Sequence, residues 1–338
     1  LIIFFEGILN YKKKNYETVI EIFENLKIET ENLTHKIIKE NVLAKSYDNL
    51  KQFDKSFTYF EMSNKIIEES FKERVNKQKY LNVIKEKLDF FSNNKLKIKP
   101  TKFIDDGFQD PVFLVGFPRS GTTLLDTILS THKNVKVLEE KPLIDTVLNE
   151  LELNFKNDFS KILDLDVELA KKIRKIYFKQ RQEFIKYKEK YLFIDKLPLN
   201  IINVFEINRL FPNSKFIFSL RHPKDAVLSC FMQPFTPNDA MSNFYNLYDA
   251  SILYDLTMQL FKLYTKLISF NLHVIKYEDL VMDFDKSVKS LLDFLDLDWD
   301  QNLKNFYNLS NNKKIVTTPS YDQVNNPLYD NSIERWKN

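Results

Sequence analysis

The stretch Gly116-Phe117-Pro118-Arg119-Ser120-Gly121-Thr122-Thr123 has the plainest chemical purpose in this chain. An apolar run, Val112 to Val115, precedes it, and another, Leu124 to Leu129, follows it. The order is therefore strand, tight loop, helix. That order aims backbone N–H groups and the positive end of a helix dipole at one point, which suits an anion. The chain has only four glycines and seven arginines, and this loop holds two of the glycines and Arg119. A second basic point is Arg221, at the end of the run Lys215 to Leu220, with Ser229 eight residues further on. An arginine and a hydroxyl clasp a phosphate dianion; an Arg221–Asp225 pair is the plain structural alternative. Glu139 and Glu140 follow the run Val135 to Leu138, and Lys196 follows Tyr191 to Asp195. A carboxylate can take a proton in group transfer and an ammonium can neutralise developing charge, although the glutamates would also serve as helix caps.

The spacing from Gly116 to Gly121 followed by Thr-Thr is that of a Walker A loop, with Thr122 where that loop has lysine. ATP or GTP chemistry with magnesium is thus poorly supported, and the positive charge has moved to Arg119. Pro118-Arg119-Ser120-Gly121-Thr122-Thr123 after a strand resembles the 5′-phosphosulfate loop of sulfotransferases that use 3′-phosphoadenosine 5′-phosphosulfate (PAPS). The likeness is greatest to the tyrosylprotein-sulfotransferase-like subgroup, which includes bacterial forms with an N-terminal tetratricopeptide region. The resemblance implies that Arg119, Ser120, Gly121, Thr122 and Thr123 hold the phosphosulfate, and that Arg221, Ser229 and Arg335 hold the 3′-phosphate. It sets Tyr277, Tyr321 and Gln323 near the nucleotide. Counted from the loop, Glu140 takes the place of the subgroup's catalytic base, with Glu139 as the alternative. Lys196 takes the place of a lysine that bridges to the sulfuryl group and the leaving phosphate, and Arg119 assists there. The subgroup has a serine directly before its Asp-Gln pair; here Tyr321 stands in that slot, with Ser320 one residue earlier. The resemblance implies PAPS as donor, 3′,5′-ADP as product and no metal. The four histidines and Cys230 form no metal-spaced pair.

A carbohydrate, a small hydroxylated molecule and a peptide tyrosine all remain as acceptors. Lys141-Pro142-Leu143-Ile144 replaces the arginines that follow the base in the tyrosylprotein enzymes, so an acidic peptide is weakly supported. Two rival readings stand beside this one. One is a P-loop nucleotide-dependent kinase; the other is a helical-repeat binding protein with a nucleotide-sensing domain.

These groups need elements to carry them. Short apolar runs at Val112 to Gly116, Val135 to Leu138, Tyr191 to Asp195, Lys215 to Leu220 and Leu272 to Tyr277 alternate with helical stretches, notably 162 to 188 and 239 to 269. Near-continuous apolar runs are the mark of strands buried on both faces. They predict an α/β fold, a three-layer P-loop-type parallel sheet of about five strands, with ligands at the carboxyl ends of the strands. An all-α domain precedes it, residues 1–95, where Asn15-Tyr16-Glu17-Thr18 and Gln52-Phe53-Asp54-Lys55 begin similar stretches 37 residues apart. That offset resembles tetratricopeptide repeats, whose stacked pairs bind protein partners. Residues 96–110 read as a linker and 111–338 as the sulfotransferase-like domain.

The 338 residues are enough for two cores. Fifty basic against 47 acidic residues, a net charge of +3, argue against a nucleic-acid partner. The apolar start, Leu1 to Leu9, is too short to span a bilayer, and no longer run qualifies. The single cysteine points to a reducing compartment, so the cytoplasm is the expected location. Beginning at Leu1, the chain is expected to be a piece of a longer one.

Overall fold

The computed structural model describes residues 1–28, 32–156, 158–185, 190–307 and 332–337. The chain divides into two compact units, each assembled from separate segments. The first comprises Leu1–Val83, Val227–Asp255 and the turn from Arg335; the second comprises Ile84–Ala226 and Leu256–Glu334.

The first unit contains α1 (Ile2–Lys12), α2 (Tyr16–Asn25), α3 (Leu33–Asn49) and α4 (Phe53–Phe71), and α5 (Lys77–Asn93) begins in it. The 3.6-residue periodicity of α2 sets Val19 and Phe23 on one face, where they pack with Phe4, Val42, Leu43 and Tyr47. Gly7 lets α1 approach closely, because a Cβ there would lie 2.1 Å from the Phe23 ring. A second cluster joins Ala44 and Phe60 to Phe231 and Met232. Phe57 stacks on Phe231 at 5.1 Å, and the buried Asn64 donates Nδ2–H to the Phe231 carbonyl at 2.8 Å. Segment 227–255 is therefore part of the helical unit's core.

The second unit is a five-stranded, fully parallel sheet in the order β2-β3-β1-β4-β5. Its strands are β1 (Val112–Gly116), β2 (Val135–Glu139), β3 (Leu192–Lys196), β4 (Lys215–Leu220) and β5 (Asn271–Lys276), each within one residue of the expected bounds. Central β1 is buried throughout, whereas the edge strands β2 and β5 are partly exposed. Helix α6 (Thr122–Ser130) leads from β1 toward β2. α7 (Leu143–Phe155) and α8 (Val167–Phe184) connect to β3, and α9 (Val204–Leu210) connects to β4. α10 (Pro223–Phe231) and α11 (Leu247–Leu267) precede β5, and α12 (Tyr277–Met282) and α13 (Phe284–Leu295) follow it.

Strand alternation divides the core between two faces. Leu114, Ile194 and Ile217 pack against α6 and α13 through Leu125, Ile128, Leu291 and Leu292. On the other face Phe113 meets Tyr177 of α8, Phe211 and Phe216, with ring centroids 5.6–6.4 Å apart, and Phe218 meets Phe261 of α11 at 4.4 Å. Helices on both faces give the expected three layers. The long helices are shorter than the sequence pattern predicts. Asp166 caps α8 by accepting the Leu169 N–H, and Asn246 accepts the Asp249 N–H at the start of α11. These side chains satisfy the first orphan donors of each helix and fix where it begins. Among the described residues no helix is long and apolar enough to cross a membrane.

Candidate active site

The loop between β1 and α6 takes its shape from two left-handed residues, Arg119 (φ 67°) and Gly121 (φ 94°). Gly121 is required twice over: its φ is unfavourable for other residues, and a Cβ there would lie 2.8 Å from the Tyr277 ring. Gly116 permits close packing of β1 on β4, because its Cβ would lie 2.6 Å from the Ser219 carbonyl. Ser219 Oγ donates to the Ser120 carbonyl at 2.6 Å, which ties the loop to the next strand. Ser120, Thr122 and Thr123 are buried.

Among the described residues, most non-glycine residues with positive φ stand just past a helix C-terminus: Lys14, Lys51, Lys156 and Asp296. Arg119, Glu140 (φ 48°) and Glu334 (φ 56°) do not. A left-handed non-glycine residue costs on the order of 1–3 kcal/mol, and such strain is concentrated at functional sites.

Glu140 directly follows β2, and its N–H donates to the Lys196 carbonyl at 2.8 Å, carrying the parallel ladder one step past the strand. Lys196 closes β3, where its register partner is Glu139. The Lys196 side chain is 0% exposed. Its Nζ lies 2.8 Å from Glu140 Oε1, 3.2 Å from Glu139 Oε1 and 4.0 Å from Asp126 Oδ2. Burial alone would push the ammonium's pKa down; Asp126, Glu140 and Glu139 together hold it above the ordinary lysine value. Asp195, the preceding residue, points to the opposite face of the sheet. There it accepts the Tyr177 O–H at 2.8 Å, and among the described residues its Oδ1 has no hydrogen-bond partner. Burial pushes the Asp195 carboxyl up to about 7, against the lowering effect of Tyr177.

Arg221 extends past β4. Its Nη1 donates to the Arg119 carbonyl at 2.9 Å and its Nη2 to the Ser332 carbonyl at 2.5 Å. The guanidinium lies 4.7 Å from the Tyr277 ring centroid, a cation–π distance. Among the described residues Arg221 Nε is buried with no hydrogen-bond partner. Nearby, Asp225 Oδ2 accepts the Glu334 N–H at 2.9 Å.

Glu140, the loop with Arg119 to Thr123, Arg221 and Tyr277 thus follow carboxyl ends of strands in one sheet, and Lys196 is the last residue of β3. Ser229 lies on α10 and Arg335 in the turn Arg335–Lys337, both in the first compact unit. In that unit Arg335 Nη2 donates to Asp48 Oδ2 at 2.5 Å. Ser320, Tyr321 and Gln323 lie outside the described residues. The sequence reading missed two members of the site, Ser219 and Asp126. Asp126 had a legible signal, as the one acid within the apolar run Leu124 to Leu129. Ser219 had none. Among the described residues no group of three or more His, Cys, Asp or Glu side chains is arranged to hold a metal ion.

The model of the sulfotransferase family matches residues 111–301. An uncharacterized protein of Aquifex aeolicus is 25% identical over 304 residues, covering 88% of this chain and 39% of that protein. Protein-tyrosine sulfotransferase 2 of Gallus gallus is 25% identical over 241 residues, covering 67% of this chain and 62% of that protein. The chain therefore spans less than two thirds of the length of either relative. Among solved structures, the sulfotransferase domain of the Synechococcus PCC 7002 olefin synthase aligns with a TM-score of 0.47 at 20% identity, covering 70% of this chain and 91% of that one.

Proposed function

Since the chain belongs to the sulfotransferase family, we propose that it transfers a sulfuryl group from PAPS to a hydroxyl acceptor, with Glu140 as general base. The observation that carries this reading is the strand order. Because β2, β3, β1 and β4 are neighbours, the ends bearing Glu140, Lys196, the anion loop and Arg221 stand side by side. A base, an ammonium, a cradle of N–H groups and a guanidinium in a row suit one extended anionic donor beside one nucleophile.

The residues present fit that donor. Arg221 has a buried Nε–H that finds no partner among the described residues and that a phosphate oxygen would satisfy. The loop offers the α6 N-terminus, and Thr122 stands where a triphosphate-binding loop would have its lysine. Tyr277 lines the loop at Gly121. Bound PAPS supplies an activated sulfuryl group and a stable phosphate leaving group. Glu140 takes the acceptor's hydroxyl proton while the acceptor oxygen attacks in line. Lys196 and Arg119 neutralise the charge that gathers on the sulfuryl and phosphate oxygens. Ser120 to Thr123 orient the phosphosulfate, and Arg221 takes the 3′-phosphate. Ser320 or Tyr321 supplies a late hydroxyl, and Gln323 contacts the nucleotide. A carbohydrate, a small hydroxylated molecule and a peptide tyrosine stand as acceptors.

Calorimetric titration tests the donor. 3′,5′-ADP should bind in the micromolar range, and ATP with magnesium should bind far more weakly. Arg221→Ala should weaken 3′,5′-ADP by about 10- to 100-fold, the worth of a charged hydrogen-bond pair. Preferential binding of ATP would transfer the chain to the kinase reading.

A further inference from the structure

Lys196 is fully buried, and three carboxylates surround its ammonium. Two belong to the end of β2: Glu140 at 2.8 Å and Glu139 at 3.2 Å. The third, Asp126 of α6, is itself buried, and its Oδ2 lies 4.0 Å from Nζ, an ion-pair distance beyond hydrogen-bond reach. Lys196 also has neighbours within the sheet. Its register partner on β1 is Leu114, and Asp195 with Tyr177 of α8 lies on the opposite face of the sheet.

Asp126 has a distinctive place in its helix. It stands in the run Leu124 to Leu129, whose leucines and Ile128 form the core. A buried acid in such a helix is costly unless a cation or hydrogen bonds compensate it. It also lies four residues, one turn, after Thr122, so the loop threonine and the acid share a face of α6. Charge arithmetic then separates the three acids. Proton uptake by Glu140 removes the nearest counter-charge from Lys196 at the moment its positive charge is needed. Glu139 is partly exposed, and water screens it; Asp126 is buried and keeps its full effect.

Resting on the sulfotransferase reading above, we propose that Asp126 is a positioning residue: it anchors the Lys196 ammonium beside Glu140 and keeps it charged while Glu140 holds the acceptor's proton. Asp126 touches neither substrate; it acts through Lys196.

Two measurements test this without an acceptor. In the first, the affinity for 3′,5′-ADP is measured by calorimetry from neutral to alkaline pH for the unaltered chain, Asp126→Asn, Asp126→Glu and Lys196→Met. Asp126→Asn should bind within about threefold of the unaltered chain at neutral pH, and its affinity should fall away about one pH unit earlier on the alkaline side. Asp126→Glu should restore the alkaline limb, and Lys196→Met should lack it. An identical limb in the unaltered chain and Asp126→Asn overturns the proposal. Absence of binding by the unaltered chain overturns the donor assignment instead.

The second measurement is a double-mutant cycle on the urea midpoint. Asp126→Asn should lower the midpoint in the unaltered chain and raise it in Lys196→Met, where it relieves repulsion among three carboxylates. An equal change in both backgrounds overturns the Asp126–Lys196 coupling whatever the ligand does.

Discussion

Glu140 combines three properties that seldom coincide in one surface glutamate. Its backbone is left-handed, its N–H extends the ladder to Lys196, and its carboxylate meets the Lys196 ammonium at 2.8 Å. Glu139 shares the ammonium at 3.2 Å but sits in regular strand geometry, opposite Lys196 in the register. Of the pair, Glu140 has the more exposed side chain, which suits the proposed role of base. Replacing it as Glu140→Gln keeps the shape and removes the basicity. Sulfuryl transfer should fall by about 10²- to 10⁴-fold. Affinity for 3′,5′-ADP should be unchanged within about threefold, because in the proposed mechanism Glu140 acts on the acceptor and not on the leaving nucleotide. Undiminished turnover would pass the role of base to Glu139.

At the scale of the element, β3 carries opposite chemistry on its two faces. Lys196 turns toward Asp126 of α6; Asp195 turns toward α8 and is fully buried, with Tyr177 as its hydrogen-bond partner. The Asp195 carboxyl is held near 7, above its value in an unfolded chain, chiefly by burial. The folded state therefore binds a proton that the unfolded state releases between about pH 4 and 7. Stability should fall as pH rises through that window, and above it a buried carboxylate remains without full compensation. Asp195→Asn preserves the acceptor for Tyr177 and abolishes the titration. Its urea midpoint should match the original near pH 4.5 and exceed it at pH 8, by at most about 4 kcal/mol in unfolding free energy. Equal midpoints at pH 8 would mean that Asp195 is not held protonated. A strand can hold a charged site residue on one face and a neutral acid on the other because alternate side chains occupy different environments.

On the scale of the whole molecule, the helical unit is not confined to the first 83 residues. Phe231 and Met232 pack with Ala44 and Phe60, and Phe231 stacks on Phe57. Lys77 bridges to Asp249 at 2.6 Å, and Asn243 donates to the Lys77 carbonyl. A chain starting at Ile84 would keep every strand but leave this surface bare. It should bind a hydrophobic dye and elute as aggregates in gel filtration, because a contiguous apolar patch of this kind is an association site. A monodisperse fragment without dye binding would show that segment 227–255 covers itself. Within the sheet unit, linker residues Asp106 and Asp110 bond the fully buried guanidinium of Arg174 on α8, so the segment between helices and sheet is also fastened by specific contacts.

The amino-acid order by itself determined the parallel α/β fold, the strand bounds and the anion loop. Each depends on local signals: apolar runs of strand length, two glycines at a fixed spacing, and a helix start directly after them. The positions of Glu140 and Arg221 just past strand ends, and of Lys196 at the end of β3, were legible for the same reason. Which strands stand side by side was not legible, since strand order depends on crossover packing and leaves no local mark. The burial of Asp126 against Lys196, the turning of Asp195 to the far face, the hold of Ser219 on the loop and the recruitment of segment 227–255 into the helical core were decided only by tertiary structure. Each is a meeting of side chains distant in sequence, brought about when the two faces of the sheet and the helical unit bury their apolar surfaces.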